Sequence, residues 1–493
     1  MTIRNIEENN MSSPTPPIQP LVPSYKIRIL SDKKLEQFRS GTLQILKKTG
    51  FKCPSERALR IYAENGAQVD FETQIVKLSE KVIMEALSHV PRYYTMGGRT
   101  KEFDLDLSKP VTYEATDGTG TKTIDYKTRE LRSSIKDDVA KSARIADYLS
   151  SISFYWPMVS AQDHPIAPSL HELEASFNNT LKHVQTPTIV EEITTRHAIE
   201  MARVVAGSDE RVKKNPPLSL LICTIAPLAM DEGATDAALV AAEAEIPVGF
   251  MSMPNTGSTA PATIAGTIVL GDAEILSAIV LIQMAFPGAP VYYSHMPGMT
   301  HPRTGAYYGL DSYVYAIGVE LAHMWGVPTL AGSFGSGAQS LGWEFASGGG
   351  KAAMLCALCG GETGSGMGLL RGSTLLVPEA LVLDAELYHA VRADLAELDT
   401  SPDYMALDVI DAVGPRGHFL RERHTREYFR KLDFSEVQYI PAKDGEYRDV
   451  LEVAREKTDW ILENHNPEPL SAAQQKELTK IIKAAEKELS REE

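Results

Sequence analysis

Between residues 110 and 399 one pattern recurs eight times: a short apolar run closed by polar, Gly or Pro residues, then a stretch with helical periodicity. The runs are PVTYEAT (110–116), SISFYWPMV (151–159), TPTIVE (186–191), LSLLICTI (218–225), IPVGFMSM (246–253), APVYYSH (289–295), VPTLAGSF (327–334) and MGLLRGS (367–373). Helices are expected at 136–149, 169–182, 195–206, 232–244, 260–286, 311–325, 343–361 and 378–398. Near-continuous apolar runs belong to strands covered on both faces, which implies parallel pairing with helical crossovers. Eight such units in about 290 residues predict an α/β fold, a closed (β/α)8 TIM barrel. The competing architecture is an open doubly wound sheet. Its G-x-G-x-x-G turn belongs after the first strand, and EATDGTGTK has its glycines at other spacings.

The rest of the chain divides around this unit. Residues 1–26, rich in Asn, Ser and Pro, are expected as a disordered or extended arm, and 27–109 as an N-terminal α+β cap. Residues 110–399 form the barrel, and 400–493 form a C-terminal extension with helices near 447–463 and 471–492, the last read as solvated. A net charge of −16 offers phosphate backbones and anionic lipid no general attraction, so neither nucleic acid nor a membrane surface is expected as a partner. The most apolar segment, 260–286, is interrupted by Asp272, Glu274 and Gln283 and reads as a buried helix. Four scattered cysteines and no recognisable secretory signal predict a reducing cytoplasm.

A barrel carries its chemistry where strands give way to loops. By that rule run one offers Glu114, Thr116 and Asp117, run two Phe154, Tyr155 and Trp156, and run five Met251 and Met253. Run six, VYYSHMPGMTHPRTGAYY, offers Tyr292, Tyr293, His295, His301, Arg303, Tyr307 and Tyr308 without an acid. Phe334, Gln339 and Trp343 follow run seven, and Arg371 lies in run eight. Rings gathered at one mouth suit a quaternary ammonium, each face contributing roughly 0.5–2 kcal/mol. Alternation along a strand sends about half of such rings under helices instead. Arg303 and Arg371, with His295, form the candidate clamp for a carboxylate.

No metal site is expected. Cys356 and Cys359 lie in an apolar helical run with no second pair, and H-E-x-x-H, G-x-S-x-G and P-loop motifs are absent from the sequence. His418 and His424, in GHFLRERHT, are candidates to cap the barrel.

PATIAGTIVLGDAEILSAIVLIQMAFPGAPVYYSHMP, PRTGAYYG, VPTLAGSFGSGAQS, LVLDAELYHAVR and GHFLRERHT together resemble the trimethylamine methyltransferase (MttB-like) family. The resemblance implies a (β/α)8 barrel whose mouth binds a methylated amine and docks a separate corrinoid protein that accepts the methyl. It implies no tightly bound cofactor and a homo-oligomer. The trimethylamine enzymes carry pyrrolysine near the end of strand seven, whereas VPTLAGSFGSGAQS has only ordinary residues. The chain therefore is similar to the branch without pyrrolysine, which includes glycine betaine, proline betaine and carnitine:corrinoid methyltransferases. The expected site is a cage of Tyr155, Trp156, Tyr293, Tyr307 and Phe334, with His295, Arg303 and Arg371 on the carboxylate and no catalytic acid or base. Three other readings stay open at this point: a non-catalytic betaine-binding or scaffold subunit of a corrinoid complex, a trimethylamine-type methyltransferase homologue with another substrate, and a metal-free lyase using Glu114 and Asp117 as acid and base.

Overall fold

The computed structural model describes residues 14–491 apart from 306, 336 and 433 and the side chains of Tyr307 and Tyr308. Eight parallel strands form one sheet: β1 Tyr113–Thr116, β2 Phe154–Tyr155, β3 His183–Thr186, β4 Leu218–Cys223, β5 Val248–Ser252, β6 Val291–His295, β7 Leu330–Gly332 and β8 Thr363–Met367. They run in the order β6-β5-β4-β3-β2-β1-β8-β7. The ring closes where Tyr293 pairs with Thr329 and its N–H donates to the Pro328 carbonyl at 2.8 Å. The helices alternate as expected: α1 Lys136–Tyr148, α2 Pro168–Asn179, α3 Glu192–Ala206, α4 Glu232–Glu243, α5 Ile264–Ala285, α6 Ser312–Trp325, α7 Lys351–Leu358 and α8 Ala380–Leu395. The fold is a (β/α)8 TIM barrel.

Two strands lie about four residues before the runs that announced them, each for a physical reason. β3 is HVQT, which places the polar His183 and Gln185 inside the wall, so it carries little apolar signal. β8 is TGSGM, because a Cβ at Gly364 would stand 2.5 Å from the Glu114 carboxylate. The run MGLLRGS instead supplies Leu369–Leu370, which pairs antiparallel with Leu375–Leu376 in a hairpin beyond the barrel. The helix expected at 343–361 is split into Trp343–Gly348 and α7, because Gly350 takes a left-handed φ of +76°.

α5 has the length and apolarity to cross a membrane, yet 72% of its apolar window is buried inside the protein. The barrel covers one side of it and the helices Asp32–Lys48, Glu56–Glu64 and Glu80–Leu87 cover the other. These helices flank a three-stranded antiparallel sheet, Phe51–Lys52, Ile75–Lys77 and Gln68–Asp70. Each polar interruption of α5 has partners. Asp272 accepts from Tyr293 Oη at 2.8 Å, Trp325 Nε1 at 3.0 Å and Thr42 Oγ1 at 2.5 Å. Glu274 accepts from Ser252, Thr224 and the Leu228 N–H, and Gln283 bridges Gly288 and Ala289.

The N-terminal end of the barrel is closed by an extended strap and a hairpin. Residues 1–13 of the expected arm lie outside the described residues. Beyond them Leu21 pairs with Thr112 and is fully buried, and the Gln19 and Ser24 N–H groups donate to Ser150 and Leu395. The strands Thr95–Met96 and Leu105–Asp106 bring Met96 and Leu105 against Tyr113, Phe154 and Leu221 of the barrel interior.

The extension holds the helices Val450–Asn464 and Ala472–Leu489. The second is not solvated as expected. Leu478, Ile481, Ile482 and Ala485 form a buried stripe, while Glu486 and Glu488 meet His171 and His197 of α2 and α3, each at 3.0 Å. His418 and His424 do not cap the barrel. Both belong to an exposed segment, where the His424 ring stacks on Tyr428.

Candidate active site at the barrel mouth

Strand parity decides which rings reach the mouth, since successive side chains point to opposite faces. Along β6, Tyr292 crosses the interior and its hydroxyl donates to Gln185 Oε1 at 2.8 Å, with the Leu220 carbonyl at 2.9 Å. A Cβ at Gly249, the residue of β5 opposite Tyr292, would collide with that ring. Tyr293 and His295 must then face outward. Tyr293 binds Asp272 of α5, and His295 fills the gap left by Gly271 and Gly318 of α5 and α6, where burial pushes its imidazole down to about 4.

The expected cage is therefore corrected. Tyr155 also faces a helix, with its hydroxyl against Ser142 at 2.8 Å and the Val139 carbonyl at 3.1 Å of α1. Phe334 packs under α8 with its ring 6.2 Å from that of Tyr388. Tyr155, Tyr293, His295 and Phe334 thus stand behind the wall. Trp156 alone of the described cage residues belongs to the interior cluster, with Met251, Tyr292 and Leu221. Its backbone is fixed to Thr116 Oγ1 by two 2.8 Å bonds, one through N–H and one through the carbonyl. The side chain of Tyr307 lies outside the described residues.

The loop after β6 forms a small sheet beside the mouth, in which Gly298–Thr300 pairs with Asn255–Thr256 and with Tyr307–Gly309. Arg303 is exposed at the tip of that hairpin, where its N–H and that of Thr304 point at His301 Nδ1. Arg371 is also exposed, with Nε 3.3 Å from the Gln339 carbonyl in the loop after β7. Both arginines are exposed while His295 is buried behind the wall, so the three form no shared clamp.

The interior presents neutral donors instead. Trp156 Nε1, Gln185 Nε2 and Ser294 Oγ are buried and have no hydrogen-bond partner among the described residues. Trp156 and Gln185 are next in register after the pair Tyr155 and Val184 on adjacent strands, so they sit side by side. Ser294 follows Tyr292 on the inward face of β6, level with Met251 of β5 and next to half-buried Met296. An orphaned buried donor costs about 1–3 kcal/mol, so these three make this part of the barrel interior the candidate ligand site. Gln185 escapes sequence reasoning because the apolar run that announces β3 begins one residue after it, three residues after the strand itself begins. Ser294 escaped because its neighbours' rings drew attention to both faces of one strand.

Glu114 and Asp117, the acid and base of the lyase reading, do not meet at the mouth. Glu114 points out of the barrel and accepts from Ser333 Oγ at 2.5 Å. Burial pushes its carboxyl up to about 8, and the Ser333 hydroxyl offsets part of that rise. Asp117 is raised by burial to about 6, with one oxygen on the Gly118 N–H and the other on Ser373 Oγ. A folded-state pKa above the unfolded value of 4.5 gives Glu114 a stabilising proton that is fully present below pH 4.5 and lost as pH rises through about 8. Glu114→Gln is expected to raise the thermal midpoint at pH 8.5 and to match the parent below pH 4.5. Equal midpoint shifts at both pH values would contradict that assignment.

Comparison with known proteins agrees with this architecture. The sequence matches the family described as "Trimethylamine methyltransferase (MTTB)" over residues 4–490. Trimethylamine methyltransferase MttB of Desulfitobacterium hafniense (strain DSM 10664 / DCB-2) is 30% identical over 492 residues, covering 95% of this chain and 96% of that protein. Glycine betaine methyltransferase of Desulfitobacterium hafniense (strain Y51) is 26% identical over 498 residues, covering 96% and 99%. In fold, the crystal structure of the Methanosarcina barkeri monomethylamine methyltransferase (MtmB) matches with a TM-score of 0.50 at 12% identity, over 88% of each chain. The matched length and the preserved barrel lead to one conclusion: this chain belongs to the trimethylamine methyltransferase (MTTB) family.

Proposed function

We propose that this protein takes one methyl group from a quaternary amine that also carries a carboxylate, glycine betaine or a bulkier relative such as proline betaine or carnitine, and passes it to the Co(I) of a corrinoid carried by a separate protein. The observation that carries this reading is the pairing, at one mouth, of the Trp156 indole with three unpartnered neutral donors. A trimethylammonium group has no N–H to donate and is held by ring faces and soft thioethers, which Trp156, Met251 and Met296 supply. A carboxylate needs donors, which Gln185 Nε2, Ser294 Oγ and Trp156 Nε1 supply. The ordinary residues of VPTLAGSFGSGAQS and the glycine betaine methyltransferase among the relatives support the same substrate class.

The chemistry asks little of the protein beyond placement. The C–N bond breaks with its electron pair staying on nitrogen, so the leaving group is a neutral tertiary amine that needs no proton. The reduced corrinoid supplies the electron pair that accepts the methyl. The protein's share is to hold the substrate in line, with the methyl turned out of the barrel, and to exclude water. An open rim supports a large acceptor: Trp343 is 84% exposed, and among the described residues no atom beyond the chain neighbours lies within 4 Å of where a Cβ would stand at Gly335, Gly337 or Gly342. The described cysteines are unpaired, in keeping with a reducing cytoplasm.

Calorimetric titration tests the substrate class. Glycine betaine is expected to bind at least about tenfold more tightly than choline, which lacks the carboxylate, and than glycine, which lacks the methyls. Trimethylamine binding as tightly as glycine betaine would contradict the zwitterion reading.

A further inference from the structure

The cysteines of this chain do not share one environment. Cys53 and Cys356 are fully buried, and the sulfurs of Cys356 and Cys359 approach the Gly332 carbonyl and Glu320 Oε1, each at 3.9 Å. Cys223 differs from all three. It is the last residue of β4, it is half-buried, and its sulfur has no hydrogen-bond partner among the described residues. A cysteine that only fills a core is sealed by its neighbours, as Cys53 and Cys356 are.

Strand parity turns this side chain into the barrel. Along β4, Ser219 meets His183 Nε2 at 2.8 Å and Leu221 belongs to the interior cluster of Trp156, Met251 and Tyr292, so Cys223, two residues on, also faces inward. It packs against that cluster together with Met296. Register sets it level with Met251 of β5, and Met251 level with Ser294 of β6. On its other side β3 carries Gln185, whose Oε1 accepts from the Tyr292 hydroxyl, and Tyr292 lies close enough to feel a charge on the Cys223 sulfur. Five consecutive strands, β2 to β6, thus turn Trp156, Gln185, Cys223, Met251 and Ser294 toward one interior. The other four are buried, and three of them carry a polar group without a partner among the described residues. Cys223 is the member of this wall that solvent reaches.

Resting on the substrate class proposed above, we infer that Cys223 is a substrate-contacting residue: its thiol forms the β4 side of the site at the open end, touches the methyl groups of the quaternary amine, and by its small volume sets how bulky an amine enters. A polarisable sulfur suits an N-methyl group, as the thioethers of Met251 and Met296 do. A longer side chain at this position would project toward the interior that Gln185, Ser294 and Trp156 face. Burial pushes the thiol up to about 11, so near neutral pH the substrate meets an uncharged S–H and not a thiolate that would compete for its methyl.

Thiol labelling of the full chain tests the proposal. The protein is treated with N-ethylmaleimide at pH 8, alone and with a saturating amount of glycine betaine, proline betaine or carnitine, whichever calorimetry finds to bind most tightly, and modified cysteines are located by peptide mass spectrometry. Cys223 is expected to be modified, and the bound amine is expected to slow that reaction at least about tenfold. Any modification of Cys359, half-buried on the far side of the wall at the end of α7, is expected to proceed at one rate in both samples. Cys223→Ser, nearly equal in volume, is expected to bind the amine within about threefold of the parent, and Cys223→Leu at least about tenfold more weakly. The labelling needs no variant, so it decides the matter even where leucine disturbs the fold. An unreactive Cys223, equal labelling rates with and without the bound amine, or parent-like affinity in Cys223→Leu overturns the proposal and leaves the substrate class standing. Absence of calorimetric binding by all three amines overturns the substrate class, and this proposal with it.

Discussion

Trp156→Leu is expected to raise KM for a carboxylated quaternary amine by about 10- to 100-fold while leaving kcat within a few-fold. The indole is 4% exposed and is the one described ring of the expected cage that enters the barrel interior. A desolvated cation–π contact contributes about 2 kcal/mol or more, which is roughly a factor of 30 in binding. The effect falls on KM because nitrogen loses its positive charge as the C–N bond breaks. The ring therefore stabilises the bound substrate at least as well as the transition state. Trp156→Phe keeps a ring face and removes Nε1, so it is expected to recover most of the loss. Steady-state kinetics on both variants checks this, and a fall in kcat with an unchanged KM would contradict the assigned role. Phe71→Ala, an exposed ring on the cap, is the control expected to change neither constant.

Asp272→Ala is expected to remove on the order of 4 kcal/mol of stability, a large part of the roughly 5–15 kcal/mol typical of a folded protein. The carboxyl lies in the middle of α5, fully buried, and three donors converge on it. Truncation leaves Tyr293, Trp325 and Thr42 with unpaired buried groups, each costing about 1–3 kcal/mol, and opens a void. Burial raises Asp272 to about 6, with the three donors opposing the rise. Its protonated form thus stabilises the fold fully below the unfolded value of 3.8, and that contribution is lost as pH rises through about 6. Asp272→Asn keeps one acceptor oxygen without the charge and is expected to fall well short of the alanine loss. Chemical denaturation of both variants at pH 7 gives the comparison, and equal losses would show that the hydrogen bonds are not what the site needs.

The barrel was legible because eight apolar runs and their helices repeat at barrel spacing, and because each run except the third and eighth, which touch theirs at one residue, contains its strand whole. Those two failed where the wall itself is polar or bare, at His183 and Gln185 and at the glycines of TGSGM. The site was less legible for a different reason. A one-residue change of parity sends a strand's side chains to the other face, and neither VYYSH nor SFYW contains anything that fixes it. What fixes it is distant in sequence. Gly249 leaves room for Tyr292 inside the barrel, and Asp272 receives Tyr293 outside. Gln185 and Ser294 become visible as candidate ligand donors only when every partner of a buried polar atom has been found or found missing.

Methyl transfer itself tests the central claim most directly. The protein is mixed with a corrinoid protein held as Co(I) and with glycine betaine, proline betaine, carnitine or trimethylamine in turn, and methyl-Co(III) is followed by absorbance while the amine product is quantified. The expected result is one equivalent of methyl-Co(III) and one of the dimethylated amine from at least one carboxylated quaternary amine, with Trp156→Leu needing more substrate for the same rate. Absence of methyl-Co(III) with all three carboxylated substrates, or transfer from trimethylamine alone, would contradict it.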